Sequence, residues 1–320
     1  MNDFRTRVRD ALMPATVTRW VKITAWALLI SNIGIVGTGG LVRLTGSGMG
    51  CPTWPTCTPE SLIPTAELSA HSLIEFGNRT LTGVLVVIAA FAFLAVIRQR
   101  HERPAPARLT FIVGLGIILQ ALIGGITVWM HLHPSVVGVH YFVSAGLVAV
   151  STANLVLVYA PPSARRLAVP RRYAILTHLT TFAVAVTVIV GIILTGAGPH
   201  AGDDSAARNG LDPSFWQHVH SWPGYVTFLL TIGLVLGSLR TPKVLNLTRW
   251  TSLLLGIEII QIIVGVWQAR TGLPIALVNI HMVLAVCLVA AMTAVVMNLK
   301  APVATLTPTD PRAPETVAAR

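Results

Sequence analysis

Eight stretches of the chain are apolar for long enough to cross a bilayer, which takes roughly 20 residues as a helix. They are Ile23–Val42, Leu81–Ile97, Leu109–Met130, Val136–Tyr159, Ile175–Gly196, Trp216–Leu239, Trp250–Ala269 and Ile275–Leu299. The pattern predicts an all-α polytopic membrane protein with eight transmembrane helices. The first run follows a basic segment and lacks a small-residue cleavage site, so it reads as a retained anchor. The second run has a polar mouth, Ala70 to Gly83. There His71, Glu75, Asn78 and Thr82 share one helical face, with Arg79 beside it. Ionisable groups at membrane depth mark a site when they face a bundle interior; the alternative is a helix end wetted by headgroups.

The pattern also repeats. Gln120, Gly124, Leu132 and His140 recur at one common offset as Gln261, Gly265, Leu273 and His281. Upstream, Leu44-Thr45-Gly46-Ser47-Gly48 answers Leu194-Thr195-Gly196-Ala197-Gly198 at a slightly longer one. The expected architecture is two tandem four-helix bundles related by pseudo-twofold symmetry about the membrane normal. Its divisions are an N-terminal tail 1–20, units 21–160 and 161–300, and a C-terminal tail 301–320.

Composition sharpens this picture. A hydrophobic content of 53%, a charged content of 11% and a mean hydropathy of +0.71 exclude an ordinary soluble domain. With both termini placed inside, all but Arg43, Arg79, Arg208 and Arg270 of the 23 lysines and arginines fall on inner segments. This asymmetry sets the orientation in a cell membrane. The net charge of +11 therefore reports topology, with contact to anionic membrane lipid as a by-product. Nucleic-acid binding is excluded, because the basic residues spread over every inner loop.

In that topology the even-numbered spans all start at the outer surface. Glu75 and Asn78 lie near the start of the second, His140 of the fourth, His218 and His220 of the sixth, and His281 of the eighth. Zinc would need three or four ligands close together. Paired imidazoles from two helices of one bundle suit haem iron instead. His220 and His281 form such a pair, with His218 the rival of His220 on another helix face. In the first unit His140 faces Asn78. His101, His131, His133, His178 and His200 read as solvated or interfacial. Glu258, one turn before Gln261, either pairs with it, moves protons, or is a carboxyl hydrogen-bonded between helices. Cys287 reads as a small buried residue. Cys51 and Cys57 share the first outer loop, on the oxidising side, where a disulfide or two free thiols are both open.

These residues resemble those of the haem A synthases. The resemblance rests on Gly39 to Gly48 running into Cys51-Pro52-Thr53-Trp54-Pro55-Thr56-Cys57, on His71 to Arg79, on both Gln-x3-Gly…His segments, and on Thr195 to Asp203. It implies an oxidoreductase acting on a C–H group. Two successive hydroxylations of the ring methyl of haem O, with loss of water, would leave the formyl group of haem A for cytochrome oxidase. It further implies haem b in the second unit on His220 and His281, substrate haem O in the first on His140, Glu75 as the required acid, and a Cys51–Cys57 disulfide. The family commonly has Glu-x-x-His-Arg where this chain has Glu75-Phe76-Gly77-Asn78-Arg79. His71 lies seven residues before Asn78, roughly 10 Å along a helix, too far for a direct substitute. Asn78 or water would then face the substrate iron. Arg43 and Arg79 are the outer cations best placed to pair with haem propionates.

Two other classes stay open at this point. A b-type electron-transfer cytochrome would need haems across both leaflets, and a transporter would need helices broken at mid-depth. Contact with a haem O synthase is an expectation of the resemblance. A homo-oligomer is left open.

Overall fold

The computed structural model describes residues 2–65, 70–241 and 246–302. Lys243, Arg312, Arg320 and the tail from residue 303 lie outside them. The described residues form α1 (Asn2–Leu12), α2 (Arg19–Leu44), α3 (Ala70–Ile97), α4 (Pro104–Trp129), α5 (Pro134–Tyr159), α6 (Arg171–Ala197), α7 (Pro213–Ser238), α8 (Leu247–Arg270) and α9 (Ile275–Met297). The last eight are long and apolar enough to cross a membrane. The chain is an all-α, multi-pass membrane protein.

The helices outrun the apolar stretches that announce them. α3 begins well before Leu81, because Glu75 and Arg79 pair at i,i+4 and carry the helix through its polar turns. Proline opens α4, α5 and α7, where its missing N–H would have no partner anyway. Asp212 caps α7 by accepting from the Ser214 amide at 2.9 Å. Bonds from the Ser214 hydroxyl and amide hold its carboxyl below the ordinary range. α1 is a basic helix preceding the first span, where the sequence pattern predicts only a tail.

Packing is inverted relative to a soluble protein. Phe182, Trp222 and Leu229 are largely exposed, while Thr110, Thr177, Thr180 and Thr251 are buried. The buried hydroxyls donate to carbonyls one turn back, as Thr177 does to Tyr173 at 2.9 Å. In lipid there is no hydrophobic drive between helices, so small residues and such bonds make the interfaces.

Helices α2 to α5 touch in sequence, and α5 closes back on α2; α6 to α9 do the same, with α9 closing on α6. The two groups meet along α9, which packs on α2 and α5, and where α5 meets α6. Val286 of α9 accordingly sits in a core cluster otherwise formed by the first group. Two three-residue strands, β1 (Arg165–Leu167) and β2 (Lys300–Pro302), pair antiparallel with Arg166 opposite Ala301. Strands this short leave no periodic signal in a sequence.

The repeat is visible in local backbone. After α4 the Leu132 amide donates to Thr127 O at 2.8 Å; after α8 the Leu273 amide donates to Gln268 O at 2.9 Å. Both leucines are left-handed, with φ of 57° and 59°. The residue before each is left-handed too, His131 in one case and Gly272 in the other.

Candidate functional site

Each four-helix group carries a histidine near the end that bears the Cys51–Cys57 loop. In the second group the His220 ring on α7 faces the His281 ring on α9, with centroids 6.3 Å apart and planes at 73°. His218 is exposed and points elsewhere. Gly191 of α6 lies against the His220 ring and Gly265 of α8 against the His281 ring. A Cβ would come within 2.8 Å and 3.1 Å of those rings, so both helices approach only because glycine stands there. One turn before Gly265, Gln261 donates to His281 O at 3.1 Å.

The first group repeats half of this. Gln120 donates to His140 O at 2.9 Å and also bonds Ser144 Oγ. Gly124, one turn on, faces the His140 ring. The Gln-x3-Gly spacing now has a physical meaning. The amide fixes the carbonyl of the turn that carries the histidine, and the glycine leaves room for its ring. On α3, Asn78 takes a hydrogen bond on Oδ1 from Thr38 at 2.8 Å.

Around Asn78 the first group has parts with no counterpart. Cys51 and Cys57 are disulfide-bonded and fully buried. Glu75, 6% exposed, accepts from the Cys51 amide on Oε2 at 2.7 Å and from Arg79 on Oε1. Arg79 uses all five of its N–H groups here. Nε and one Nη2 hydrogen reach Glu75 at 3.1 and 2.5 Å. Nη1 reaches Thr53 O at 2.9 Å and Thr56 O at 3.1 Å, and Nη2 reaches Cys51 O at 3.1 Å. The loop so pinned lays Trp54 over Gly125 and edge-on to Trp129 at 5.6 Å. His71 is exposed, with its Nδ1 2.8 Å from Ser47 Oγ.

The arginines expected at propionates are thus engaged with carbonyls. Arg43 donates through Nε to His200 O at 2.8 Å and through Nη2 to Thr195 O at 2.9 Å, joining α2 to the second group. A part for Arg43 or Arg79 in holding propionates would require these bonds to be exchanged. His200, expected to be solvated, sits 3.0 Å by Nε2 from Leu273 O. Glu258 accepts from Thr231 of α7 at 2.8 Å, so among the alternatives it is a carboxyl hydrogen-bonded between helices, and Gln261 bonds elsewhere.

The residues fit a haem better than a bare metal ion. Among the described residues no three histidine, cysteine or carboxylate side chains converge on one point. A porphyrin supplies four in-plane nitrogens and asks the protein for one or two axial ligands. Metal–imidazole bonds of about 2.0–2.1 Å on either side of one iron put ring centres roughly 6 Å apart, as His220 and His281 are. Nδ1 of His140, His220 and His281 is buried with no hydrogen-bond partner.

The sequence pattern of the COX15-CtaA family, described as cytochrome oxidase assembly protein, matches residues 22–293. The chain belongs to this family. Among curated relatives, this COX15-CtaA member is 27% identical over 132 residues to a heme A synthase of Geobacillus thermodenitrificans, a match covering 41% of each chain. It is 29% identical over 145 residues to a heme A synthase of Listeria welshimeri serovar 6b, covering 44% of this chain and 45% of that one. The chain therefore spans less than half the length of the curated relatives it matches.

Sequence reasoning found the two glutamines as repeat markers but not their bonds to the histidine carbonyls; it missed the seat of Trp54, and Pro223, which sits inside α7 three residues past His220 and removes a helix hydrogen bond there. Pro223 left a signal, a proline within an apolar run, and the glutamines left theirs in the repeat.

Proposed function

We propose that this protein is a haem A synthase, an oxidoreductase acting on a C–H group. It oxidises the ring methyl of substrate haem O by two successive hydroxylations, and loss of water gives the formyl group. The reading puts haem b in the second unit, where His220 and His281 would hold its iron. His140 and Asn78 flank the substrate in the first. When bound, haem b supplies one-electron redox chemistry. The protein lies in the cell membrane with the disulfide loop outward and both termini inside.

One observation carries this reading: the Gln-to-carbonyl bond and ring-facing glycine occur at both His140 and His281. Two settings of one design support two flat ligands of one kind, and the family match supports haem for that kind.

The remaining roles belong to the chain. The Gln120 and Gln261 amides orient the turns carrying the ligand histidines. Asn78, tethered by Thr38, is an amide where the family commonly has a histidine, so in the first unit His140 alone would hold the substrate's iron. The Trp54 loop excludes water from that end. Glu75 is the acid of the substrate edge. Held by Cys51 on Oε2 and Arg79 on Oε1, it favours positive charge developing as the methyl is oxidised, and the lone pair left on Oε2 can take a proton. Substrate delivery by a haem O synthase, and assembly as a homo-oligomer, belong to the same proposal.

Co-expression with haem O synthase in a host lacking haem A, followed by analysis of extracted haems, tests it. Haem A or its hydroxylated precursor is expected. Neither compound, from folded protein, would overturn the reading.

A further inference from the structure

The two histidine settings are joined. Tyr141 directly follows His140 on α5, and Met282 directly follows His281 on α9. The Tyr141 hydroxyl donates to the Met282 carbonyl at 2.7 Å. That carbonyl lies within α9, where its helical acceptor role is already met, so the hydroxyl takes its second lone pair. Helix α9 has no need of this bond. A phenylalanine would fill the same space without a phenol oxygen that must be satisfied in an apolar interface.

A second approach lies alongside. On α2, Gly39 faces the Asn78 amide of the first setting, and Gly40 faces Asn279 of α9, two residues before His281. A Cβ on Gly40 would collide with Asn279 Oδ1. Adjacent glycines thus let one helix touch both settings.

We infer that the Tyr141–Met282 hydrogen bond is the bridge by which an electron passes between the groups held at His140 and at His281, with Tyr141 as a positioning residue. The inference rests on the reading above that each setting holds a haem. The route runs from His140 along one peptide unit to the Tyr141 ring and hydroxyl, across one hydrogen bond to Met282 C=O, and along the chain to His281. Every other step is covalent. Tunnelling decays more slowly along bonds than across van der Waals gaps, so removing the hydroxyl replaces the best step with a gap. The group at one site is oxidised by the single electron that reduces the other. No bond is made or broken, and the tyrosine keeps its proton.

The experiment follows electron redistribution between the two haems by absorbance after a light flash, in purified full-length protein loaded at both sites, without turnover. Tyr141→Phe is expected to slow redistribution several-fold while haem content and both midpoint potentials stay at wild-type values. Tyr173→Phe is the control for loss of any buried tyrosine bond, because the Tyr173 hydroxyl donates to Leu234 O at 3.1 Å within the second group. It should redistribute at the wild-type rate. Unchanged rates in Tyr141→Phe with both haems bound would overturn the bridge and leave the proposed function standing. A wild-type protein that takes up no haem at the His140 setting would overturn the proposed function, and the bridge with it.

Discussion

The two four-helix groups share a skeleton and differ in one wall. In the second, His220 stands opposite His281, each ring backed by a glycine. In the first, His140 has the same seat but no imidazole pair is formed; Asn78 of α3 is tied to Thr38, near a disulfide loop pinned by Glu75 and Arg79. On the reading proposed here, the half with two imidazoles keeps its group in place and shuttles electrons. The half with one imidazole leaves a position open and carries the acid. A duplicated bundle thereby gives two functions with few changes, because the Gln and Gly that build each histidine's seat are left alone.

The contrast can be broken most forcefully at its strongest point. Replacing His281 with Ala should abolish the bis-imidazole haem spectrum altogether, whereas His140→Ala should leave that spectrum intact; difference spectra of purified variants decide it. Next in size, Glu75→Gln should lower haem O conversion by about 10²-fold or more at unchanged haem b content, as for loss of a group assisting charge or proton movement. Glu75→Ala should also lower thermal stability, by about 3 kcal/mol, since Arg79 loses its buried counter-charge. Asn78→His should make the halves alike. A second bis-imidazole signature is expected, together with about tenfold tighter retention of haem in the first half, equivalent to roughly 1.4 kcal/mol. The smallest effect lies in the turns: His131→Gly, matching Gly272, should raise stability by up to about 1 kcal/mol in thermal unfolding, because glycine accepts positive φ without strain.

Much of this could be read from the residues alone, and what could not has a common cause. The eight spans follow from run length, and the recurrence of Gln, Gly, Leu and His recurs as shared turns and shared hydrogen bonds. The start of α3 lies outside its apolar run, because apolarity stops before helicity does, while its end at Ile97 coincides with the end of the run. Arg43, Arg79 and Tyr141 were harder: each donates to main-chain carbonyls, an acceptor every residue carries, so no partner is marked in the sequence. Arginines near a presumed haem look like propionate ligands until the carbonyls around them are located. Trp54 was opaque for the same reason, since its seat is a glycine on a helix far along the chain.

One guanidinium has a mechanical consequence. Because Arg79 grips three carbonyls of the ring closed by Cys51 and Cys57, and its own acid grips a fourth backbone group, the roof cannot tilt independently of α3. Lifting the loop to admit a bulky flat molecule would have to drag that helix along or tear four contacts at once. Entry from the side, between helices and out of the lipid, asks for neither.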